Sequence, residues 1–374
     1  MTIGVLKESN NETRVSLLPE HVVALRKQQV NVVIENGAGE KAFASNEQYQ
    51  TAGATCASRN EVLQQADIIL SIHALADNDI TNCKAKILFG FYQPLFNATH
   101  IKSLAEKNFT IFSIDMLPRT TRAQSMDVLS SQANIAGYKA VLLAANMYPK
   151  YFPMFMTAAG SIPPAKMLIL GAGVAGLQAI ATAKRLGAVV EVFDTRPQVK
   201  EEVMSLGAKF VEVQGAADAA KAGGYAVVQT EEFMARQKAR IAESVAKSDI
   251  IITTAAIPGK KAPILITEEM LQSMKSGSVI IDLAASTGGN TSHTKNNETV
   301  QVNGVSIIGN SALAASMPSD ASKLYGKNIL NFLQLIINKE GGINLNFEDD
   351  LVKGTCVAHG GVVTNERVSA LVQS

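Results

Sequence analysis

A glycine-rich turn between an apolar strand and a helix is the feature that most constrains how this chain folds. The strand pattern KMLIL runs directly into GAGVAG, and a helical pattern and a second strand ending at Asp194 follow. Gly171 permits a tight turn, the missing Cβ of Gly173 leaves the backbone open to close approach, and Gly176 lets the helix pack on the strand. The segment therefore predicts the first β–α–β unit of a doubly wound sheet.

Short apolar runs alternate with helical patterns along both halves of the chain. VNVVIENG and DIILSIHA in the first third, and DIIITTA and SVIIDLA in the second half, are typical of strands. Strands that alternate with helices form a parallel sheet covered on both faces. We therefore predict an α/β protein with two doubly wound, Rossmann-like parallel-sheet domains, joined by long helices and with a cleft between them.

The domain boundaries follow from two long helical patterns. The first spans about 127–147, and the second, SDASKLYGKNILNFLQLIINKE, could return the chain to the first domain. We predict a discontinuous first domain, 1–130 and 315–374, and a second domain, 131–314. The Ala- and Gly-rich segment 215–235 fits neither sheet well, and it is either a surface loop or hairpin, or a mobile lid over a bound ligand.

Composition excludes several classes of protein. The formal net charge is +1 and no basic stripe is present, which argues against nucleic acid as a partner. The three cysteines, Cys56, Cys83 and Cys356, form no CxxC pair, so reduced thiols are expected rather than a metal site or disulfides. The N-terminus lacks a signal peptide pattern, and no apolar run reaches the roughly 18 residues of a membrane span. We expect a cytoplasmic protein that does not itself cross a membrane.

The glycine-rich turn predicts a dinucleotide site, because free N–H groups at a helix start favour a pyrophosphate. Its candidate residues are Gly171, Ala172, Gly173, Val174, Ala175, Gly176, Asp194, Thr195 and Arg196. Asp194 suits the ribose hydroxyls of NAD(H) and repels the 2′-phosphate of NADP(H), although Arg196 could weaken that preference. Two further strand ends add Ala255, Ala256, Pro258 and Gly259, and then Asp282 and Leu283. Ordinary Pro-Gly turn chemistry is an alternative explanation for the first of these.

A general acid or base is not obvious among the five histidines. Only His73, at a predicted strand end, is placed like a site residue, and His21 is expected to be a solvated helix residue. The polar stretch PRTTRAQSMDVLSSQ precedes a small, apolar helical pattern. Helix capping is the alternative explanation, with Ser125 or Ser130 as the cap and Asp127 favoured by the helix dipole. Capping alone does not require Arg119 and Gln124 as well.

Four long segments carry a family resemblance. They are KESNNETRVSLLPEHVVAL, PRTTRAQSMDVLSSQANIAGYKAV, LILGAGVAGLQAIATAKRLGAVVEVFDTRPQVKEEVMSLGAKFVEV and IITTAAIPGKKAPILITEEMLQSMKSGSVIIDLA. The first resembles a motif shared by alanine dehydrogenase and the NAD-binding component of proton-translocating NAD(P) transhydrogenase. The chain as a whole resembles the transhydrogenase component over essentially its full length.

The transhydrogenase resemblance implies roles for the polar stretch. Arg119, Gln124, Asp127 and Ser130 match residues that hold the nicotinamide and its ribose in the family. Asp127 and Ser130 are three apart and can share one helix face, and Arg119 could pair with Asp127 or donate to the carboxamide. Tyr225 matches the Tyr of a mobile loop that closes over the nucleotide.

The resemblance also implies the reaction and the partners. Hydride would pass directly from NADH to NADP⁺ held on a separate NADP-binding domain. A membrane-spanning domain in another chain would couple that transfer to proton translocation. The implied assembly is a homodimer, peripheral on the inner-membrane transhydrogenase complex.

An alanine dehydrogenase-like amino acid dehydrogenase is the main alternative. That family reduces pyruvate with a Lys in a KVKEP motif and a His in the next strand-end segment. The matching positions here look like His73 and Gln93, although Arg14 is retained. A nucleotide-sensing module without a redox role is a third hypothesis.

Overall fold

The computed structural model describes residues 1–9, 11–213 and 231–373. The chain forms two compact units. Unit 1 contains Met1–Gln132 and Ala315–Ser374, and unit 2 contains Ala133–Ala314. Each unit has a mainly parallel sheet with helices between its strands. The predicted α/β fold class is confirmed.

In chain order, the strands of the described residues are β1 (Thr2–Val5), β2 (Asn31–Glu35), β3 (Thr55–Ala57), β4 (Ile68–Leu70), β5 (Ile87–Gly90), β6 (Thr110–Ser113), β7 (Phe155–Thr157), β8 (Gly160–Ile162), β9 (Lys166–Leu170), β10 (Val189–Phe193), β11 (Lys209–Phe210), β12 (Ile250–Thr253), β13 (Val279–Asp282), β14 (Glu298–Val302), β15 (Val305–Gly309), β16 (Cys356–His359) and β17 (Val362–Val363). The α-helices are α1 (Pro19–Lys27), α2 (Asn46–Thr51), α3 (Arg59–Gln65), α4 (Asp77–Asn82), α5 (Ala98–Glu106), α6 (Val128–Met147), α7 (Val174–Arg185), α8 (Lys200–Ser205), α9 (Glu231–Lys247), α10 (Glu268–Gln272), α11 (Pro318–Ile336), α12 (Asp350–Thr355) and α13 (Glu366–Gln373).

The described residues of unit 1 form an eight-stranded sheet with the order β17-β16-β6-β5-β4-β1-β2-β3. Strands β1 to β6 pair in parallel, whereas β16 is antiparallel to both β6 and β17. An aromatic cluster joins the adjacent strands β5 and β6 to α11. It consists of Phe89, Phe112 and Phe332, whose ring centroids lie 5.1 to 6.1 Å from one another. The chain segment after 315 thus completes the core of unit 1.

The described residues of unit 2 form a seven-stranded sheet with the order β11-β10-β9-β12-β13-β15-β14. All pairs are parallel except that of β14 with β15. The order reverses at β9, with β10 on one side and β12 on the other. In a doubly wound sheet, a ligand binds at the carboxyl ends of the strands beside such a reversal. The glycine-rich turn lies at this point, between β9 and α7.

Several elements were not predicted from the sequence. Strand β14 is a polar edge strand, and β16 and β17 add antiparallel pairs to a sheet that the alternation pattern describes as parallel. A separate hairpin of β7 and β8 is exposed along both strands. These elements are short or lie at edges, where the apolar pattern of a buried strand is absent.

His21 is buried rather than solvated, so that expectation was wrong. The residue is 4% exposed, and its Nδ1 atom accepts the N–H of Leu18 at 2.9 Å. Gly326 of α11 lies so close that a Cβ there would collide with the imidazole ring. The packing of α11 on α1, which the helical pattern of α1 does not reveal, therefore buries the ring.

No helix among the described residues is long and apolar enough to cross a membrane.

Candidate dinucleotide site

The turn after β9 needs glycine at two of its three motif positions for steric reasons. Gly171 has φ +108°, and a Cβ there would collide with the hydroxyl of Thr254. A Cβ on Gly176 would collide with the carbonyl oxygen of Gly171. These contacts bring α7 against the end of β9, which gives the close helix–strand packing that the motif predicts.

Gly173 has a different role, because a Cβ there would meet no atom within 4 Å. The space beside it opens at the start of α7, which has no side-chain cap. The first N–H groups of a helix lack intrahelical partners, and an anion can satisfy them. Val174, the first helical residue, is 39% exposed. Gly173 to Gly176 therefore fit the pyrophosphate of a dinucleotide.

Asp194 lies just after β10, beside this helix start. Its Oδ2 atom accepts the N–H of Ala172 at 2.7 Å and Nη2 of Arg196 at 2.8 Å. Its Oδ1 atom accepts the backbone N–H and Nε of Arg196, at 2.8 and 2.9 Å. The hydrogen bond to Asp194 raises the pKa of Arg196. Thr195 is half-buried between the two.

The segment after β12 continues the same edge of the sheet. The backbone N–H of Thr254 donates to the carbonyl of Leu170 at 2.9 Å, and its hydroxyl donates to the carbonyl of Gly171 at 3.2 Å. Ala255 is half-buried, Ala256 and Pro258 are exposed, and Gly259 has φ +75°. The turn is therefore tied to the glycine-rich motif, and its tip faces solvent. These residues can contact a nucleotide bound at the start of α7.

The side chain of Asp282, at the end of β13, is fully buried. Its carboxylate accepts the N–H groups of Ala284 and Asn290, at 2.9 and 2.6 Å, and the hydroxyl of Thr294 at 2.6 Å. These hydrogen bonds hold the backbone of the segment that follows β13. Leu283 is half-buried. Asn290 was not predicted from the sequence, although its place after two glycines beyond a strand end is a recognisable turn signal.

The polar stretch lies in unit 1 and forms a 3₁₀ helix at Thr121–Met126 that leads into α6. Asp127 accepts the N–H of Ser130 at 2.9 Å and its hydroxyl at 2.6 Å. Asp127 therefore caps α6, whereas the capping explanation assigns the cap to Ser125 or Ser130. Arg119 and Gln124 are exposed. The pairing of Arg119 with Asp127 stays a prediction.

Tyr225 and most of the predicted loop 215–235 lie outside the described residues. Helix α9 begins at Glu231. No group of three or more His, Cys, Asp or Glu side chains that could hold a metal ion occurs in the described part of the chain.

A second polar cluster lies in unit 1, where β1 and β4 end side by side. Arg14 donates Nε and Nη2 to the two carboxylate oxygens of Glu12, at 2.8 and 2.7 Å, and Nη1 to Gln132 at 2.9 Å. His73 contacts Glu12 through Nε2 at 3.0 Å. Burial opposes ionisation of Glu12, but the hydrogen bonds of Arg14 and His73 outweigh it and hold the pKa of Glu12 well below its usual range. The same contact raises the pKa of His73. The guanidinium of Arg14 is thus already paired with a carboxylate of its own chain.

Comparison with known proteins identifies the family. Residues 4–136 match the alanine dehydrogenase/PNT N-terminal domain, and residues 140–366 match the C-terminal domain of that family. The chain belongs to the alanine dehydrogenase/PNT family. The resemblance found in the sequence is confirmed.

Individual relatives divide between the two branches of the family. NAD(P) transhydrogenase subunit alpha of Haemophilus influenzae is 44% identical over 96% of this chain and 71% of its own length. A Rhodospirillum rubrum protein, named as the first portion of the same subunit, is 43% identical over 98% of both chains. Alanine dehydrogenase of Staphylococcus epidermidis is 27% identical over 91% of this chain and 88% of its own.

Two solved structures are similar to this chain. A transhydrogenase from Sinorhizobium meliloti has a TM-score of 0.88 and 43% identity, and the match covers 97% of this chain and 100% of that one. An L-alanine dehydrogenase has a TM-score of 0.82 at 22% identity, which supports the fold alone.

Proposed function

We propose that this chain is the NAD(H)-binding alpha component of a proton-translocating NAD(P) transhydrogenase. The observation that carries the proposal is the uncapped start of α7 beside Gly173, with Asp194 at the end of the next strand. The relatives that are 43 to 44% identical are named as transhydrogenase alpha subunits. Both facts favour a nucleotide site that serves hydride transfer.

In this proposal, NAD(H) supplies the hydride chemistry and the protein supplies binding and orientation. The N–H groups at the start of α7 hold the pyrophosphate, and Asp194 holds the adenosine ribose. Hydride transfer between two nicotinamide rings needs no proton donor at the reacting carbons. It needs the rings at near-attack distance with water excluded.

We assign the nicotinamide end to the polar stretch of unit 1. The exposed amide of Gln124 offers two donors and an acceptor to ribose hydroxyls. Arg119 orients the carboxamide, while Asp127 and Ser130 fix the start of α6 and present their polar groups on one face. NADP(H) would be held by a separate NADP-binding domain, and the proton pathway by a membrane-spanning domain in another chain. The chain would then be peripheral on the cytoplasmic side of the inner-membrane complex and active only with these partners.

Alanine dehydrogenase activity is less well supported. The positions that match that family's Lys and His are His73 and Gln93, and Arg14 is paired with Glu12. Arg14 still has N–H groups beyond those bound to Glu12 and Gln132, so a carboxylate could bind there. The agents that would polarise and protonate a keto acid, a Lys and a His, are nevertheless absent from the matching positions.

Mixing the chain with a recombinant NADP-binding domain, NADH and an NADP⁺ analogue tests the proposal. We expect NADH oxidation that requires both proteins. A parallel assay with pyruvate, ammonia and NADH should show no turnover by the chain alone. NADH oxidation in the second assay would replace the proposal with the alanine dehydrogenase alternative. NADH binding without transfer in the first would favour the nucleotide-sensing module.

A further inference from the structure

The segments that follow β12 and β13 are joined by one buried amide side chain. Asn290 is 0% exposed. Its Oδ1 atom accepts the N–H of Ala255 at 3.1 Å, and its Nδ2 atom donates to the carbonyls of Ala255 at 2.8 Å and Pro263 at 2.9 Å. Both amide hydrogens and the amide oxygen are therefore used. The orientation of the amide is fixed, because a flipped amide would place its oxygen against two carbonyl oxygens.

The backbone of Asn290 adds to the same connection. Its carbonyl accepts the N–H groups of Leu265 and Ile266, at 2.8 and 3.0 Å. Its own N–H is held by Asp282, the last residue of β13. Asn290 thus links the end of a rigid strand to both ends of the segment 255–263, which we call the β12 loop.

The two glycines before Asn290 make this geometry possible. Gly288 and Gly289 have φ values of +106° and +79°. A Cβ on Gly289 would collide with Thr294 and lie 2.9 Å from Oδ2 of Asp282. The chain can therefore turn back at Gly289 and present the N–H of Asn290 to Asp282.

The position of the β12 loop in the sheet indicates what it faces. Strand β9 has β10 on one side and β12 on the other, and Asp194 follows β10. With the adenosine ribose at Asp194 and the pyrophosphate at the start of α7, the other nucleoside must extend past β12. The β12 loop, with Ala256 and Pro258 exposed at its tip, lies on that path.

We propose that Asn290 is a positioning residue that holds the β12 loop in the shape required by the nicotinamide half of NAD(H). This inference rests on the proposed function for the identity of the nucleotide. Asn290 acts through the loop and does not itself touch the ligand. A substitution of Asn290 should therefore weaken the binding of the nicotinamide half of the dinucleotide and leave the binding of the ADP half nearly unchanged.

The test is Asn290→Asp, which keeps the size of the side chain but removes both N–H donors and places a carboxylate against two carbonyls. The matched control is Asn303→Asp, the same change at an exposed turn between β14 and β15, at the opposite end of the sheet. Dissociation constants for NADH and ADP are measured by calorimetry. For Asn290→Asp we expect NADH affinity to fall about tenfold or more and ADP affinity to change less than about twofold. The control should change neither.

Equal weakening of NADH and ADP, or no weakening of either, would overturn the proposal. If Asn290→Asp does not fold, the same dissociation constants are measured for Asn290→Ser. Hydrogen exchange of the wild-type protein then provides a second test of the proposal. The N–H of Ala255 lies outside β12, yet its bond to Asn290 should protect it about as well as the end of that strand. Rapid exchange at Ala255 would contradict the inference. Wild-type protein that binds no NADH would instead refute the proposed function, and the exchange measurement would still test Asn290.

Discussion

The carboxylate of Asp194 accepts three hydrogen bonds from Arg196 and a fourth from the N–H of Ala172. A carboxylate offers about four lone-pair positions, so these bonds occupy its acceptor capacity. Ribose hydroxyls can bind Asp194 only if the side chain of Arg196 releases it. If Asp194 holds the adenosine ribose, as we propose, ribose binding is coupled to a movement of the Arg196 side chain.

Asp194→Asn should reduce discrimination between NADH and NADPH. The change removes the charge that repels a 2′-phosphate and leaves Arg196 able to bind one. We expect NADH to bind about tenfold more weakly and the preference for NADH to narrow by about 100-fold. Fluorescence titration with NADH and with NADPH measures the two dissociation constants. Arg196→Gln is the control, since Asp194 would still repel the phosphate. An unchanged NADH preference in Asp194→Asn would rule out this role.

Gln124→Asn should separate binding from transfer. The exposed amide moves back by one methylene, which costs little in NADH affinity but misplaces the group that aligns the ribose and its ring. We expect NADH affinity within about twofold and hydride transfer to the added NADP-binding domain slowed by roughly 100-fold. Gln50→Asn, an exposed change in α2, should affect neither quantity. Transfer near the wild-type rate would remove Gln124 from the proposed mechanism.

Asp127→Asn distinguishes a capping role from a role in the reaction. Asparagine is as good an N-cap as aspartate, so the melting temperature should stay close to that of the wild type. If Asp127 also binds the nicotinamide ribose, transfer should fall about tenfold or more at unchanged stability. Asp127→Ala is the comparison, and it should lose about 1 kcal/mol of stability with the cap. Full transfer activity in Asp127→Asn would mean that Asp127 acts only as the cap of α6.

The parts of the fold that could be predicted are those whose cause is local in sequence. The turn at Gly171 and Gly176 follows from steric limits within one strand–turn–helix segment, so sequence spacing reveals it. Asn290 acts on Ala255, 35 positions earlier, and that contact exists only after β12 and β13 pair. His21 was misread for the same reason, because α11 covers it from 305 positions later.

The exposed apolar side chains of the β7–β8 hairpin indicate a contact between subunits. Met154, Phe155, Met156 and Ile162 are 61, 42, 77 and 41% exposed, and the ring of Tyr151 lies 4.4 Å from that of Phe155. An isolated two-stranded hairpin is marginally stable in water, and a concentrated apolar patch marks an interaction site. We propose that the chain forms a homodimer and that this hairpin lies in its interface. Met156→Asp should weaken the dimer by about tenfold or more in light scattering after gel filtration. Met204→Asp, at a lone exposed methionine in α8, is the control. A stable Met156→Asp dimer would exclude the hairpin as its main contact.

His21 should make the protein less stable in mild acid. Burial lowers the pKa of His21 to about 4, against about 6.5 for an unfolded histidine. Because the folded state favours the neutral ring, its contribution is fully present above pH 6.5 and is lost as the pH falls towards 4. The two pKa values correspond to a loss of roughly 2 kcal/mol between pH 7 and pH 5. Urea unfolding at both pH values should show a smaller loss in His21→Gln than in the wild type, and His100→Gln should behave like the wild type. Equal losses in His21→Gln and the wild type would mean that another group causes the acid sensitivity.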